Sequence, residues 1–315
     1  MRRTLISWVL LFSCNLMWSL QFTCIKLTQD QVGPLFTVWG PMLLATIFLY
    51  PFARKEFVKG KKSWKDIRVF VLLVLLGTFP AQVFVTKGTQ LSLASNAAIL
   101  TMSLPVITAL FAFLILKEKM NRVRWISFAI AIVGVLLASM NDLKGANFGS
   151  QYVIGNFIIL LAIIGNAFYN TGCKKIIERF TPVEMVFFTY LFMVIFLTPL
   201  VLYFERDVFA RVPSFTTQTW LGLSLLTFFH NFLSMILFFK ALKKLEAIQV
   251  ALSNYLITFF GLPIAAIWLK EKLHPLAIVG GVLIFVSTLI ITIIDYRIDK
   301  RKAEEEVACS VSEKV

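Results

Sequence analysis

The 315-residue chain is 58% hydrophobic and only 15% charged, with a mean hydropathy of +0.81, where a soluble average carries about 25% charged residues. That composition excludes a water-soluble globular enzyme and places the chain in a bilayer. Its formal net charge of +14 raises nucleic acid as a partner, but the charges sit between apolar runs, so no nucleic-acid partner is expected.

About ten stretches approach the ~20 apolar residues needed to cross a ~30 Å hydrocarbon core: 5–26, 34–52, 67–87, 92–116, 125–140, 152–173, 183–204, 217–239, 247–269 and 276–294. The first follows Met1-Arg2-Arg3, is long enough to span and lacks a small-x-small cleavage site, so it reads as a retained helix with a basic anchor. It carries Asn15, Trp18, Ser19 and Phe22. The third ends at Lys87, the fourth supplies Ser95 and Asn96, and Lys117-Glu118-Lys119 follows it. In the sixth, Asn166, Tyr169, Asn170 and Cys173 recur at helical spacing along one face. The eighth does the same with Thr227, His230, Asn231 and Ser234; Lys240 ends it. The ninth carries Asn254, Thr258 and Gly261 and leads into Lys270-Glu271-Lys272. Pro80, Pro105, Pro199 and Pro263 should each free a backbone carbonyl and bend their helix.

If the amino terminus is cytoplasmic, 24 of the 31 Lys and Arg fall in inner segments. This satisfies the positive-inside rule and predicts both ends in the cytoplasm, in a plasma membrane, the bacterial inner membrane fitting best. Cys14, Cys24, Cys173 and Cys309 have neither disulfide nor metal-ligand spacing. No metal or cofactor is expected, and no phosphate-binding glycine loop is present.

Two steps relate the halves of the chain. A step of 148 carries Thr23 to Thr171, Lys26 to Lys174, Pro34 to Pro182, Val38 to Val186 and Pro51 to Pro199. A step of 153 carries Lys87 to Lys240, Ala94 to Ala247, Ala112 to Ala265 and the first Lys-Glu-Lys to the second. The five-residue difference is absorbed between the second and third helices of each unit. Five helices per unit is an odd number, so the second unit enters the membrane from the opposite side. The expected units are 1–142 (helices 1–5) and 150–296 (helices 6–10), with a cytoplasmic tail at 297–315.

Three stretches carry a family resemblance: Leu16-Met17-Trp18-Ser19-Leu20-Gln21-Phe22 through Lys26; Ser92 through Ala97-Ala98, Pro105 and Lys117-Glu118-Lys119 to Gly134; and Ala247 through Pro263 and Glu271 to Gly280-Gly281. In these the chain resembles the EamA-type permeases of the drug/metabolite transporter superfamily. It departs at Ser19, where the family usually has Gly, and at Asn166-Ala167-Phe168-Tyr169, where Trp-Ala-x-Tyr is frequent. The resemblance implies an all-α integral membrane protein, with about ten transmembrane helices as two inverted five-helix repeats around a central cavity. It also implies transport of small metabolites.

Asp and Glu are missing from the middle of every predicted span. The polar stripes therefore supply the candidates for solute binding: Asn15, Trp18, Asn96, Asn166, Tyr169, Asn170, His230, Asn231, Asn254 and Thr258. Each has a second reading as interhelical glue, and an imidazole such as His230 can also titrate near neutral pH. Lys87, Glu118, Lys240 and Glu271 are candidates for gating or a vestibule, against snorkelling and helix termination. No catalytic residue is expected. The leading function is a secondary transporter exporting small amphipathic metabolites, such as amino acids or related compounds, by alternating access. Its partners are the solute and the bilayer, with a proton or another coupling ion left open. An exchanger for phosphorylated or nucleotide-linked solutes needs more deep Lys or Arg than the spans offer. An intramembrane lipid-modifying enzyme needs a deep Asp, Glu, His or Cys cluster.

Overall fold

Apolar runs of this length can satisfy their backbone in lipid only as helices or closed barrels, and in the computed structural model every regular element among the described residues is helical. The structure describes residues 2–57, 63–117, 122–143, 151–173, 179–237, 255–272 and 278–287, with single positions or pairs between and beyond them. The helices are α1 (Arg2–Thr28), α2 (Pro34–Phe57), α3 (Trp64–Leu91), α4 (Ala94–Thr101), α5 (Leu104–Leu116) and α6 (Arg122–Leu143). They continue with α7 (Gln151–Cys173), α8 (Pro182–Phe204), α9 (Asp207–Arg211), α10 (Thr217–Leu237), α11 (Tyr255–Trp268) and α12 (Ile278–Ser287). Among the described residues six are long and apolar enough to cross a membrane, or seven when α4 and α5, bent by 41° at their junction, are counted as one span. The protein is an all-helical integral membrane protein.

Two of the spans contain a π-helical stretch, and the 153 step relates them. Val74–Thr78 in α3 and Leu226–Leu233 in α10 are π-helical, and the step carries Val74 to Thr227 and Thr78 to Asn231. In α3 the wide turn precedes Pro80, whose ring would otherwise crowd the carbonyl four residues back. In α10 Asn231 Nδ2 donates to the Leu226 carbonyl at 2.9 Å. The expected stripe on the eighth helix runs through this π turn, with Phe228 and Phe229 exposed between its members. Thr227, Asn231 and Ser234 are buried while His230 is half-buried. A correction concerns Lys87, which does not end its helix. α3 runs on to Leu91, with the Ser92 N–H closing the last turn on the Gly88 carbonyl at 2.8 Å, and at Gly88 it meets α7 closely, the Cβ position lying 2.7 Å from the Gly155 carbonyl.

The duplicated Lys-Glu-Lys terminates helices. Lys117 and Lys270 both take left-handed φ, 57° and 56°, the conformation that closes a helix carboxyl end. Glu271 then reaches the start of α4, accepting from the Ala94 and Ser95 backbone N–H groups at 2.9 Å each and from the Ser95 hydroxyl at 2.7 Å. These are the orphan donors of a helix start, and a carboxylate suits the positive end of the helix dipole. Glu205 does the same for α2 through Leu35 and Phe36, and Thr181 with Glu184 forms a capping box on α8.

Contacts between the halves also come in related pairs. Gly134 of α6 lies against the Gly280 carbonyl, its Cβ position at 2.8 Å, while the Ser287 hydroxyl of α12 donates to the Ser127 carbonyl. The 153 step carries 127 to 280 and 134 to 287, so each residue meets its counterpart's partner. Gln31 accepts from the Thr219 hydroxyl at 2.7 Å and from Thr216 N–H at 2.7 Å, and Arg179 bonds Asp66. Here the steps carry Gln31 to Arg179 and Asp66 to Thr219. Ser63 and Thr216, again 153 apart, are the N-caps of α3 and α10.

Candidate solute site

Side-chain hydroxyls of α7 and α8 link these helices to each other and to α10. Gly77, inside the α3 π turn, has no side chain to hold α7 away, and its Cβ position lies 2.8 Å from Tyr169 Cβ. Small residues let membrane helices approach in this way. Tyr169 is thereby directed to Thr189, with 2.6 Å between the hydroxyls. Thr189 donates its own proton to the Met185 carbonyl at 2.6 Å, so Tyr169 is the donor in the pair. The next residue, Tyr190, donates to the Asn231 carbonyl on α10 at 3.4 Å. Adjacent positions of α8 thus join Tyr169 to the π turn that carries His230. The imidazole Nδ1 of His230 is buried and has no hydrogen-bond partner among the described residues. An acceptor or donor left in that state is costly unless a mobile partner supplies the bond.

The other sequence candidates fall into distinct positions. Asn15 is fully buried and donates to the Leu11 carbonyl at 2.9 Å, while Trp18 is half-buried. Their helix, α1, packs on α10 and α11, whereas α7, with Asn166, Tyr169 and Asn170, packs on α3. α7 packs on α5 as well, so the helices related by the 148 step lie against partners that the 153 step relates, α3 to α10 and α5 to α11. Asn166 is half-buried and Asn170 exposed. Asn170 is nine residues, about half a turn in phase, from Leu161 in the exposed apolar stripe Ile154, Phe157, Leu161 and Ile164. Asn170 is thus exposed on the face opposite that apolar stripe. Thr258 donates to the Ala98 carbonyl at 3.0 Å, tying α11 to α4, on which Asn96 is buried. Lys87 is exposed and Glu271 half-buried; Glu118, Lys240 and Asn254 lie outside the described residues. Thr189 and Tyr190, and the pairs Gln31–Thr219 and Arg179–Asp66, were not among the sequence candidates. The two steps carry one pair onto the other, but Gln31 and Arg179, and Asp66 and Thr219, differ in type, so the repeat gave no signal for them.

A helical, duplicated membrane chain with a polar seam between helices invites comparison with known proteins. The model of the EamA-like transporter family matches residues 5–140 and again 153–293. The chain belongs to the EamA-like transporter family.

Among its curated relatives, a protein of Streptantibioticus cattleyicolor named "Probable terminal-alkyne amino-acid exporter" is 25% identical over 274 residues, covering 87% of this chain and 89% of that one. An uncharacterized transporter of Clostridium kluyveri is 25% identical over 278 residues, covering 84% and 88%. A solved crystal structure shares the fold at a TM-score of 0.62 and 15% identity, over 93% of this chain and 99% of the other. This EamA-like chain is a transporter by family, and a small-molecule solute crosses the membrane with it.

Proposed function

We propose that the protein is a secondary transporter that exports small amphipathic metabolites, amino acids or related compounds, by alternating access between two inverted five-helix units, 1–142 and 150–296. The observation that carries this reading is the pairing of contacts at opposite ends of α3. Lys26 Nζ donates to the Gln90 carbonyl at 3.1 Å, which places the Gln31 end of the bundle at the carboxyl end of α3. Asp66 sits at its amino end, roughly 36 Å away at about 1.5 Å per residue. Two equivalent latches on opposite faces suit a carrier whose two open states are related by a two-fold axis in the membrane plane.

In this reading the solute binds in a central cavity near Tyr169, Asn166, Asn170 and His230, with Asn231 shaping the π turn. Trp18, Asn15, Asn96 and Thr258 complete the wall, and Glu271 ends a gating helix. Both termini face the cytoplasm of a cell bounded by a plasma membrane. The amino-acid class is supported by the name of the Streptantibioticus relative and by a polar seam of neutral hydroxyl, amide and imidazole groups. Counterflow in proteoliposomes preloaded with single amino acids tests it. Saturable accumulation of labelled substrate without nucleotide is expected, and flux equal to that of protein-free vesicles for every amino acid would remove the assignment.

A further inference from the structure

Between the first halves of α2 and α10 lies a cavity of about 250 Å³, walled by Phe36, Trp39, Phe215 and Phe228 and backed by Gly40 and Leu223. Its rim residues Leu44, Trp220 and Phe228 are 45%, 47% and 45% exposed, so it opens sideways, out of the bundle. All of these residues except Phe215 lie within the candidate membrane spans Pro34–Glu56 and Thr217–Leu237.

The cleft is not a general consequence of the fold, because its counterpart is closed. The 148 step carries Gly40 to Phe188 and Leu44 to Phe192, and the 153 step carries Leu223 to Phe70. These three phenylalanines meet, with ring centroids 6.1 Å apart for Phe70–Phe192, 6.3 Å for Phe70–Phe188 and 6.2 Å for Phe188–Phe192. Phe180 stacks on Phe70 at 5.3 Å, and Phe70 is 1% exposed. The α8–α3 seam is plugged by its own aromatic side chains, while the α2–α10 seam carries smaller residues at the same places.

An apolar cleft of this kind does not hold water. Its polar lining is Ser224 and Thr227, and the Thr227 hydroxyl already donates to the Leu223 carbonyl at 2.8 Å. Hydrocarbon is what reaches such an opening in a bilayer. At the α9 end the lining includes Val212, and the preceding residue, Arg211, is exposed, a cation where headgroup phosphates would lie. We propose that the α2–α10 cleft holds an acyl chain of an anionic phospholipid from the leaflet on the α9 side, its phosphate held by Arg211.

The test uses the full chain in nanodiscs of phosphatidylglycerol and phosphatidylcholine, with a trace of either lipid bearing a diazirine in its acyl chain. After irradiation, labelled peptides are mapped. Label from phosphatidylglycerol should concentrate around Leu44 and Phe228. It should fall several-fold in Leu223→Phe and in Gly40→Phe, which install the plug of the counterpart seam from either wall. Label on the exposed Ile132 and Leu136 of α6 should not change. Arg211→Glu should weaken labelling by phosphatidylglycerol and spare that by phosphatidylcholine. Wild-type label spread evenly over the lipid-facing helices would overturn the proposal even if both plugged variants failed to fold. So would undiminished label in a monodisperse plugged variant, or displacement of the label by free amino acids, which would assign the cleft to solute.

Discussion

Asp66, in the first turn of α3, is bound by Arg179 in the connection between α7 and α8. The equivalent contact at the other end of the bundle is made by neutral groups, Gln31 with Thr219. One latch is therefore ionic and the other is not. Arg179 is 58% exposed and the Asp66 side chain 10%, so solvent screens the pair and its contribution is about 1 kcal/mol. Arg179→Ala should lower the melting temperature in detergent slightly, and the exchange Asp66→Arg with Arg179→Asp should recover part of the loss. In Gln31→Ala the thermal stability should be insensitive to salt relative to wild type, whereas the Arg179→Ala difference should shrink in high salt. Equal salt dependence of both differences would contradict the assignment.

Glu271 holds backbone donors of a helix in the other half of the chain, so its loss should be felt at α4. Glu271→Ala leaves the Ala94 and Ser95 N–H groups without their carboxylate and should destabilise by about 1–3 kcal/mol. Glu271→Gln keeps an acceptor and should recover about half. Thermal melting of the purified variants, with hydrogen exchange across residues 94–101, measures this. Unchanged exchange there in Glu271→Ala would show that α4 does not need the cap.

The fold was readable in the sequence to the extent that hydropathy and the repeat steps determine it. The window 152–173 and α7 (Gln151–Cys173) differ by one residue, because an apolar run bounded by polar loops leaves a membrane helix little choice of ends. The π turns were not readable, since 3.6-residue periodicity was assumed where an extra residue enters each turn. Pro80 signals the first, and nothing comparable marks the second. Of the candidate site, Tyr169, His230 and Asn231 were visible as polar residues in apolar surroundings. Thr189 and Tyr190 were not, because a hydroxyl in a membrane helix can satisfy itself on the preceding turn, as Thr189 does on Met185. Only the packing shows that Tyr169 and Asn231 meet neighbouring residues of α8.

Close helix contacts predict which glycines are intolerant. At Gly134 an added Cβ would meet the Gly280 carbonyl at 2.8 Å, a backbone atom that cannot swing aside, whereas at Gly40 the nearest atom is a Phe36 ring carbon at 3.4 Å. Gly134→Val should cost about 1–3 kcal/mol through overpacking, and Gly40→Ala much less. Fluorescence-detected size-exclusion profiles after heating compare the two. Equal thermal loss would show that the α6–α12 contact is looser than a 2.8 Å approach implies.

The unpartnered His230 Nδ1 and the exposure of Asn170 opposite the apolar stripe predict a split between transport and stability. His230→Ala and Asn170→Ala should each reduce solute flux about tenfold, the loss of one hydrogen bond to a bound solute, while melting temperatures stay near wild type. Asn231→Ala should instead lower stability, because its side chain holds the Leu226 carbonyl of the π turn. Full flux in both of the first two variants would remove these residues from the solute path.

Nucleotide-free counterflow with purified protein in proteoliposomes tests most directly the claim that this duplicated bundle is a carrier. Preloading with an unlabelled amino acid should drive transient, saturable accumulation of the same labelled compound. Cross-linking Cys residues placed at Gln31 and Thr219 should abolish the accumulation, and reduction should restore it. Accumulation that persists with that latch locked, or that never exceeds protein-free vesicles while the protein remains folded, would contradict the account.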